Sequence, residues 1–437
     1  MSLSFASRFF RFLRPQGHVD ALAGGRVGGW AFGRSPVHVE AWFNGTRVAR
    51  CQPSIRRDDV ANAFPGSASA LASGFAFDLP RDMVEGDTIG ELRIVAKSAG
   101  ALRSSRTLAV RPMAGTKAIQ RISNAPDSGI VGPYPRQIID AIASIWPEAC
   151  ADLASVEGQR RFAERLVDAM RTAELNALPV FANYARYLTA TLAHCRFVEK
   201  HFPATNTRAG AEAADFHCKP NSVRELFTII HQLYVLKSWG VAGDFAEFGC
   251  FKGYSSAMLS FACRELGVRM HIFDSFEGLP PAEGSGYLAG QYAGSLDEVR
   301  DHITRFGAID VVDFHKGFFA DTFRNWQPPQ MMCLWMDVDL ELSARDLMTV
   351  ADRLDPRASL FSHECTANIF RDGEIVTEAQ ADNPIPPMLA RHEELGRPLT
   401  GRYVAGFTGA FWPREGAIPV IDNNVLMGLA RALAPLS

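Results

Sequence analysis

The sequence predicts an α/β protein with a doubly wound, mostly parallel Rossmann-like sheet, preceded by a small all-β sandwich and a helical segment. From about residue 222 onward, short apolar strands alternate with helices, which is typical of a parallel sheet covered on both faces. Residues 17–112 show short alternating strands, glycine-rich turns and no good helix, which is typical of a sandwich. The 437 residues, 47% of them apolar, suffice for two or three domains.

Residues 17–112 are predicted to form a β-sandwich accessory module. Residues 37–43 alternate between apolar and polar side chains, and Asn44-Gly45 supplies the favoured turn of a two-residue hairpin. Residues 74–80 and 92–96 alternate in the same way, so we expect further strands there.

Three short motifs give this module a loose resemblance to β modules that accompany bacterial glycan-modifying enzymes. They are Gly28-Gly-Trp-Ala31, Arg57-Asp-Asp-Val60 and Gly74-Phe75. Trp30 and Trp42 have two interpretations, stacking on a sugar or, as is commoner for aromatics on alternating strands, packing in the core.

The segments around the module are less regular. Residues 1–16 form an N-terminal tail, in which residues 3–13 mix aromatics with two arginines. That stretch is interpreted either as a short anchor for peripheral membrane contact or as a loosely packed terminus. No apolar run reaches the roughly 18 residues that span a bilayer. Residues 113–135 are rich in Pro, Gly and Ser and are predicted to be a linker.

Residues 136–221 are predicted to be a helical segment, because apolar residues recur at helical spacing up to about residue 201. Residues 203–221 are polar and small and are predicted to be a loop. Residues 222–437 are then predicted to be the main domain, beginning with an amphipathic helix at 225–239. Its strands are predicted at 245–248, 270–273, 311–314, 331–336 and 358–361, with a closing hairpin at 402–407 and 410–412 and a last helix at 425–433.

The stretch 244–256 combines a strand, a tight loop and the start of a helix. The strand ends in Glu247, and Gly249 and Gly253 allow a ligand to approach the backbone closely. The helix N-terminus that follows offers unpaired N–H groups. The glycine spacing lacks the G-x-G-x-x-G pattern of a dinucleotide site.

The second strand ends in Asp274, which suits hydrogen bonding to ribose hydroxyls; a helix-capping role is the alternative. The loop and this acid together favour S-adenosylmethionine (SAM) over NAD. The predicted cofactor contacts are Glu247, Gly249, Gly253, Tyr254, Ser255, Asp274 and Ser275.

An ordered set of motifs over about residues 222–366 resembles the macrocin O-methyltransferase family, bacterial enzymes that methylate sugar hydroxyls. The motifs are Glu247-Phe-Gly-Cys-Phe-Lys-Gly-Tyr-Ser255, Asp274-Ser-Phe-Glu-Gly-Leu-Pro280, Tyr292-Ala-Gly-Ser295, Lys316-Gly-Phe-Phe-Ala-Asp-Thr322 and Leu334-Trp-Met-Asp-Val-Asp-Leu-Glu-Leu-Ser343. The resemblance implies a class I SAM-dependent methyltransferase fold and a carbohydrate acceptor.

The resemblance also implies a magnesium ion, which the family holds beside the acceptor hydroxyl with an acid ending strand 4 and an Asp pair ending strand 5. Asp337 matches the first position, and Asp339 matches the second acid of the same motif. His363-Glu364 stand where the family has its Asp pair. Magnesium prefers oxygen ligands, whereas one His with two carboxylates suits manganese, iron or zinc. The candidate ligands are Asp337, His363 and Glu364, with the choice between Mg²⁺, Mn²⁺ and no metal left open.

Methyl transfer to a sugar hydroxyl needs a base or a Lewis acid, because the hydroxyl is a poor nucleophile near neutral pH. Asp337 and His363 are the predicted catalytic residues. Residues 284–294, with Tyr287 and Tyr292, are interpreted either as a lid or as an ordinary surface loop.

Three functions remain open at this point. The first is SAM-dependent O-methylation of a sugar hydroxyl of a bacterial surface glycan or glycoconjugate, with or without a metal. The second, favoured by the replaced Asp pair, is a catalytically inactive protein of methyltransferase fold that binds glycans or acts as a scaffold. The third, disfavoured by the loop spacing, is a NAD-dependent sugar oxidoreductase.

The composition limits which classes of partner and which compartment the sequence predicts. The formal net charge of −3 and the absence of a basic stripe argue against nucleic-acid binding. The eight cysteines are scattered without a C-x-x-C motif, which favours a reducing compartment and predicts a cytoplasmic protein. An oligomer is compatible with the sequence.

Overall fold

The structure is a computed structural model, which describes most of the chain. The described residues are 14–99, 104–118, 133–176, 178–203, 221–281, 287–325, 330–347, 350, 354–365, 370–371, 374–375, 385–414 and 418–434. The predicted anchor at 3–13, most of the linker at 113–135 and nearly all of the loop at 203–221 lie outside them. Among these residues, no helix has both the length and the apolar character that crossing a bilayer requires.

The N-terminal part is a sandwich of two antiparallel sheets, as predicted. Its strands are β1 (Gln16–Ala23), β2 (Arg26–Phe32), β3 (Val37–Phe43), β4 (Thr46–Cys51), β5 (Gly74–Asp78), β6 (Ile89–Ser98) and β7 (Ser105–Ala114). The sheets have the orders β1-β2-β5 and β4-β3-β6-β7. The inward residues of both sheets, among them Val27, Val39 and Ile94, form one core.

The sequence of the β3–β4 hairpin determines the conformation of its turn. Asn44 and Gly45 have φ values of 46° and 81°, the left-handed pair that a two-residue hairpin turn requires. Trp42 lies on the outer face, donating its indole N–H to Glu40, and Trp30 stacks on Phe32 with 5.7 Å between ring centroids.

The expectation of no helix in this module is wrong, because two short helices are present. They are α1 (Asp58–Ala63) and α2 (Arg81–Glu85). Each carries an acid in its first turn, where it interacts favourably with the helix dipole, but one or two turns are too short to leave a periodic apolar pattern.

The predicted helical segment is present and packs onto the sheet that follows. Its helices are α3 (Arg136–Ile145), α4 (Val156–Met170), α5 (Ala173–Asn176) and α6 (Pro179–His201). Phe162, Phe181 and Leu188 of these helices share one continuous core with Ile230 and Trp335 of the main domain. The domain boundaries themselves stay predictions.

The main domain contains a seven-stranded sheet with the order β10-β9-β8-β11-β12-β16-β15. Its strands are β8 (Asp244–Phe248), β9 (Met270–Asp274), β10 (Val312–Lys316), β11 (Met331–Met336), β12 (Leu354–Ser362), β15 (Leu399–Ala405) and β16 (Thr408–Pro413), and a separate two-stranded ribbon pairs β13 (Phe370–Arg371) with β14 (Glu374–Ile375). Its helices are α7 (Val223–Ser238), α8 (Tyr254–Leu266), α9 (Leu296–Phe306), α10 (Phe319–Asn325), α11 (Glu341–Asp346), α12 (Ile385–Glu394) and α13 (Asn423–Leu433).

The first five strands in this order are parallel, and β16 runs antiparallel between β12 and β15. The predicted doubly wound, mostly parallel sheet is thereby confirmed. The carboxyl ends of β8, β9, β11 and β12 therefore lie at one edge of the sheet, where such folds bind their ligands.

Gln159 joins the helical segment to the sheet. Its fully buried amide donates to the Leu153 carbonyl at 3.1 Å and accepts from Arg402 Nη1 at 3.1 Å and from the Asp422 N–H at 2.8 Å. One side chain on α4 thus satisfies groups on β15 and at the start of α13.

Replacing Gln159 by Leu should lower the free energy of unfolding by about 3 kcal/mol, because it leaves buried donors and an acceptor without partners. Chemical denaturation followed by circular dichroism measures this. The control is Glu157→Gln, an exposed position on the same helix, which should change stability by less than about 0.5 kcal/mol. Equal denaturation midpoints for the two variants would contradict the proposed junction.

Candidate active site

A cavity of about 330 Å³ opens at the carboxyl edge of the parallel strands. Its volume lies within the range of about 300–1,000 Å³ typical of small-molecule sites. The loops after β8, β9, β10, β11 and β12 all contribute to its wall, so the topology places one site where the sequence predicts it.

The glycine loop after β8 forms one side of the cavity. Gly249 and Gly253 have φ values of 82° and 84°, a region that favours glycine. A Cβ on Gly249 would overlap the carbonyl oxygen of Asp337, so the loops after β8 and β11 are in direct contact. Gly253 precedes the first turn of α8 and lies outside the cavity wall, whereas Tyr254 and Ser255 of that turn line it.

Glu247 lies behind the loop and not in the cavity wall. It is fully buried, and its two carboxylate oxygens accept hydrogen bonds from Ser255 Oγ, at 2.6 Å, and from Ser256 Oγ. Burial raises the pKa of the Glu247 carboxyl to about 8. The structure therefore gives this predicted cofactor contact a supporting position, fixing strand β8 to helix α8.

Asp274 and Ser275 line the cavity, as expected of cofactor contacts. Asp274 Oδ2 accepts from the Cys250 N–H at 2.8 Å and Oδ1 accepts from the Phe276 N–H at 2.7 Å. Asp274 therefore holds the glycine loop, and the alternative role as a helix cap does not apply, since the next described helix begins at Leu296.

Asp337 and His363 line the other side of the cavity, and Glu364 lies beside them outside the wall, with one ligand atom from each within 4.8 Å of the others. The strand register explains this. Met336 pairs with Phe248 on one side and with Ser362 on the other, so the residues that follow these three lie side by side.

His363 is held between carboxylates and aromatic rings. Its Nδ1 lies 3.2 Å from Asp337 Oδ1, and its Nε2 lies 3.8 Å from Glu225 Oε1. The rings of Trp335 and Phe407 approach it edge-on at centroid distances of 5.8 and 5.6 Å. Nδ1 of His363 therefore points to Asp337, and Nε2 points to Glu225.

A known protein family matches the part of the chain that carries most of this site. Residues 223–356 match the model of the family described as macrocin-O-methyltransferase (TylF). This part of the chain is therefore similar to a macrocin O-methyltransferase domain. The predicted resemblance is confirmed, and with it a SAM-dependent O-methyltransferase as the class of enzyme.

Solved structures add a likeness of fold. The O-methyltransferase NovP is 19% identical over 53% of this chain and 99% of its own, with a TM-score of 0.40. A Bacillus cereus O-methyltransferase in complex with SAH is 15% identical over 51% of this chain and 90% of its own, with a TM-score of 0.32. These likenesses are too distant to carry an argument about function. No curated protein matches the chain.

Negative charge is in excess around the methyltransferase cavity. Burial and the charge of Asp337 raise the pKa values of the Asp339 and Glu364 carboxyls. Burial disfavours a charged His363, but Asp337 and Glu364 outweigh it and raise the pKa of the imidazole to about 9. Carboxylates that repel one another in a buried site are stabilised by a cation, so Asp337, His363 and Glu364 fit a divalent metal.

Three residues of the site were missing from the predicted set. Asp339 lines the cavity with φ at 59°, an unusual value for a residue other than glycine, and its acid motif was a visible signal. Glu225 belongs to a capping box with Ser222, a pattern legible in the sequence but typical of a structural role. Asn221 lies 3.5 Å from Asp337 through its amide nitrogen, across 116 positions of sequence, and no sequence signal indicated it.

Replacing Glu247 by Gln should change how stability depends on pH. The folded pKa of about 8 lies above the ordinary 4.5, so the unfolded chain releases a proton first as the pH rises. The contribution of this carboxyl is complete below pH 4.5 and is lost by about pH 8. The wild type should therefore lose on the order of 4 kcal/mol relative to the Gln variant between pH 5 and 8.

Denaturant unfolding at both pH values measures this difference. Glu265→Gln, at an exposed position on α8, is the control and should follow the wild type. A Glu247→Gln variant with the pH dependence of this control would show that the carboxyl ionises normally in the fold.

Proposed function

We propose that the chain transfers a methyl group from SAM to a sugar hydroxyl of a bacterial surface glycan or glycoconjugate, with a divalent metal in the site. The observation that carries this is the convergence of the glycine loop and the Asp337, His363 and Glu364 cluster on one cavity. One side of the cavity suits the cofactor and the other suits the acceptor.

The cofactor side consists of residues that bind without reacting. SAM, when bound, supplies a methyl group on a positively charged sulfur. Gly249 leaves the backbone open to a ligand, and the first turn of α8 offers N–H groups for a carboxylate. Asp274 and Asp337 give the cavity the negative character that suits a sulfonium.

The acceptor hydroxyl must lose its proton, and geometry favours Asp339 as the proton acceptor. Both ring nitrogens of His363 face carboxylates, which leaves His363 and Asp337 to orient and polarise the hydroxyl. Asp339 lines the cavity, is fixed by its N–H bond to Glu364 at 3.0 Å, and accepts a hydrogen bond from Tyr287. Tyr287 thus contacts the site, and Tyr292 lines the cavity.

The mouth of the cavity supports an acceptor that carries an apolar group. Phe318, Leu342 and Phe407 line it with 39%, 52% and 57% of their surface exposed. Exposed apolar side chains at a binding site indicate an apolar partner surface. A lipid-linked sugar or glycolipid supplies both the hydroxyl and the apolar surface, and the N-terminal sandwich is a candidate for glycan contact.

The alternatives are less well supported. The family match disfavours a NAD-dependent oxidoreductase. The hypothesis of an inactive scaffold was based on the replacement of the family's Asp pair by His363 and Glu364. These two residues nevertheless converge with Asp337.

Calorimetry should show that the full chain binds S-adenosylhomocysteine and not NAD. Gly249→Ala should weaken this binding at least about tenfold, because the new Cβ displaces the loop from Asp337. Gly240→Ala is the matched control, since that glycine also has positive φ but open space around its Cβ. Tight NAD binding without S-adenosylhomocysteine binding would contradict the proposed function.

Asp339→Asn should lower kcat by about 100-fold or more while S-adenosylhomocysteine affinity stays unchanged, because only proton transfer is lost. Asp301→Asn, an exposed acid on α9, is the control. Label transfer from methyl-labelled SAM to a glycolipid extract measures the rate. Wild-type kcat in Asp339→Asn would assign the proton to another group.

A further inference from the structure

We propose that the methyltransferase domain binds one Mn²⁺ ion in preference to Mg²⁺, with Asp337, His363, Glu364 and the side-chain oxygen of Asn221 as ligands. This rests on the proposed function and adds the identity of the metal and a fourth ligand. Four features of the described residues support it.

The first feature is the buried side chain of Asn221. Its side chain is 1% exposed, and its Oδ1 has no hydrogen-bond partner among the described residues, which is costly for a buried amide. It lies directly before helix α7 and lines the cavity beside Asp337, with Nδ2 at 3.5 Å from Asp337 Oδ2. Rotating the amide by half a turn exchanges its oxygen and nitrogen, so the oxygen can face a cation held by Asp337.

The second feature is the orientation of the His363 ring. Glu225 is 3% exposed and is fixed by the Ser222 N–H at 2.6 Å and by Thr408 Oγ1 at 3.0 Å. Its Oε1 lies 3.8 Å from Nε2 of His363, beyond hydrogen-bonding distance. Nδ1 lies 3.2 Å from Asp337 Oδ1, so loss of the Nδ1 proton leaves a lone pair directed at the acidic cluster, with the Glu225 carboxylate on the Nε2 side of the ring.

The third feature is the number of acidic side chains at the site. Asp337, Asp339 and Glu364 converge around a single imidazole, and no Lys or Arg is among the described residues that line the cavity. A divalent cation balances this charge without a change in the protein.

The fourth feature is the donor set, which disfavours Mg²⁺. Mg²⁺ takes an all-oxygen shell and keeps several waters, so an imidazole ligand works against it. Imidazole raises affinity for transition ions, while two carboxylates and an amide oxygen retain the hard character that suits Mn²⁺.

Electron paramagnetic resonance on the full chain, stripped with chelator, tests the proposal directly. Titration should show one bound Mn²⁺ per chain, displaced by Mg²⁺ only at about tenfold or greater excess. The spin-echo signal of bound Mn²⁺ should be modulated by an imidazole nitrogen. Displacement by equimolar Mg²⁺, or bound Mn²⁺ without nitrogen modulation, would overturn the proposal.

Variants then separate the ligands. His363→Asp should abolish the nitrogen modulation and shift the preference about tenfold toward Mg²⁺. Asn221→Ala should weaken Mn²⁺ binding about tenfold. His201→Asp, at the exposed end of α6, is the control and should change neither. If His363→Asp does not fold, the modulation in the wild type decides alone.

Calorimetry with S-adenosylhomocysteine on the same preparations keeps the two proposals distinct. Binding of S-adenosylhomocysteine without a preference for Mn²⁺ overturns the metal assignment alone. Loss of both S-adenosylhomocysteine binding and methyl transfer in the metal-loaded wild type overturns the proposed function.

Discussion

The contact between Gly249 and Asp337 is the constraint on which the site depends. The two residues follow the adjacent strands β8 and β11, and only a glycine fits against the Asp337 carbonyl oxygen. The Asp337 N–H donates to the Phe248 carbonyl at 2.9 Å, and the Gly249 N–H donates to the Phe273 carbonyl at 2.9 Å. Three strand ends are thereby held together, and the glycine loop lies against Asp337.

Much of this could be predicted from the sequence, because parallel strands bring their carboxyl ends together. Apolar strands ending in Glu247, Asp274 and Asp337 were visible as a pattern, and the neighbouring β11 and β12 explain why His363 and Glu364 meet Asp337. The two short helices of the sandwich were missed because they are too short for a periodic signal.

Other parts of the site depend on tertiary packing that no local pattern encodes. Asn221 reaches Asp337 only because the start of α7 lies against the carboxyl end of β11. Glu225 caps its own helix and also faces His363, and the sequence shows only the first role. Glu247 looked like a ligand contact, but the serines that follow it bind its carboxylate from within the wall.

We propose that the carboxyl edge of the parallel sheet is the methyltransferase site and that its apolar mouth accepts a glycoconjugate. Mass spectrometry of envelope glycans and glycolipids from a strain that lacks the chain is the critical measurement. We expect a sugar without one methyl group, restored by the wild-type chain and not by Asp339→Asn. Unchanged methylation of every glycan and glycolipid in that strain would contradict it.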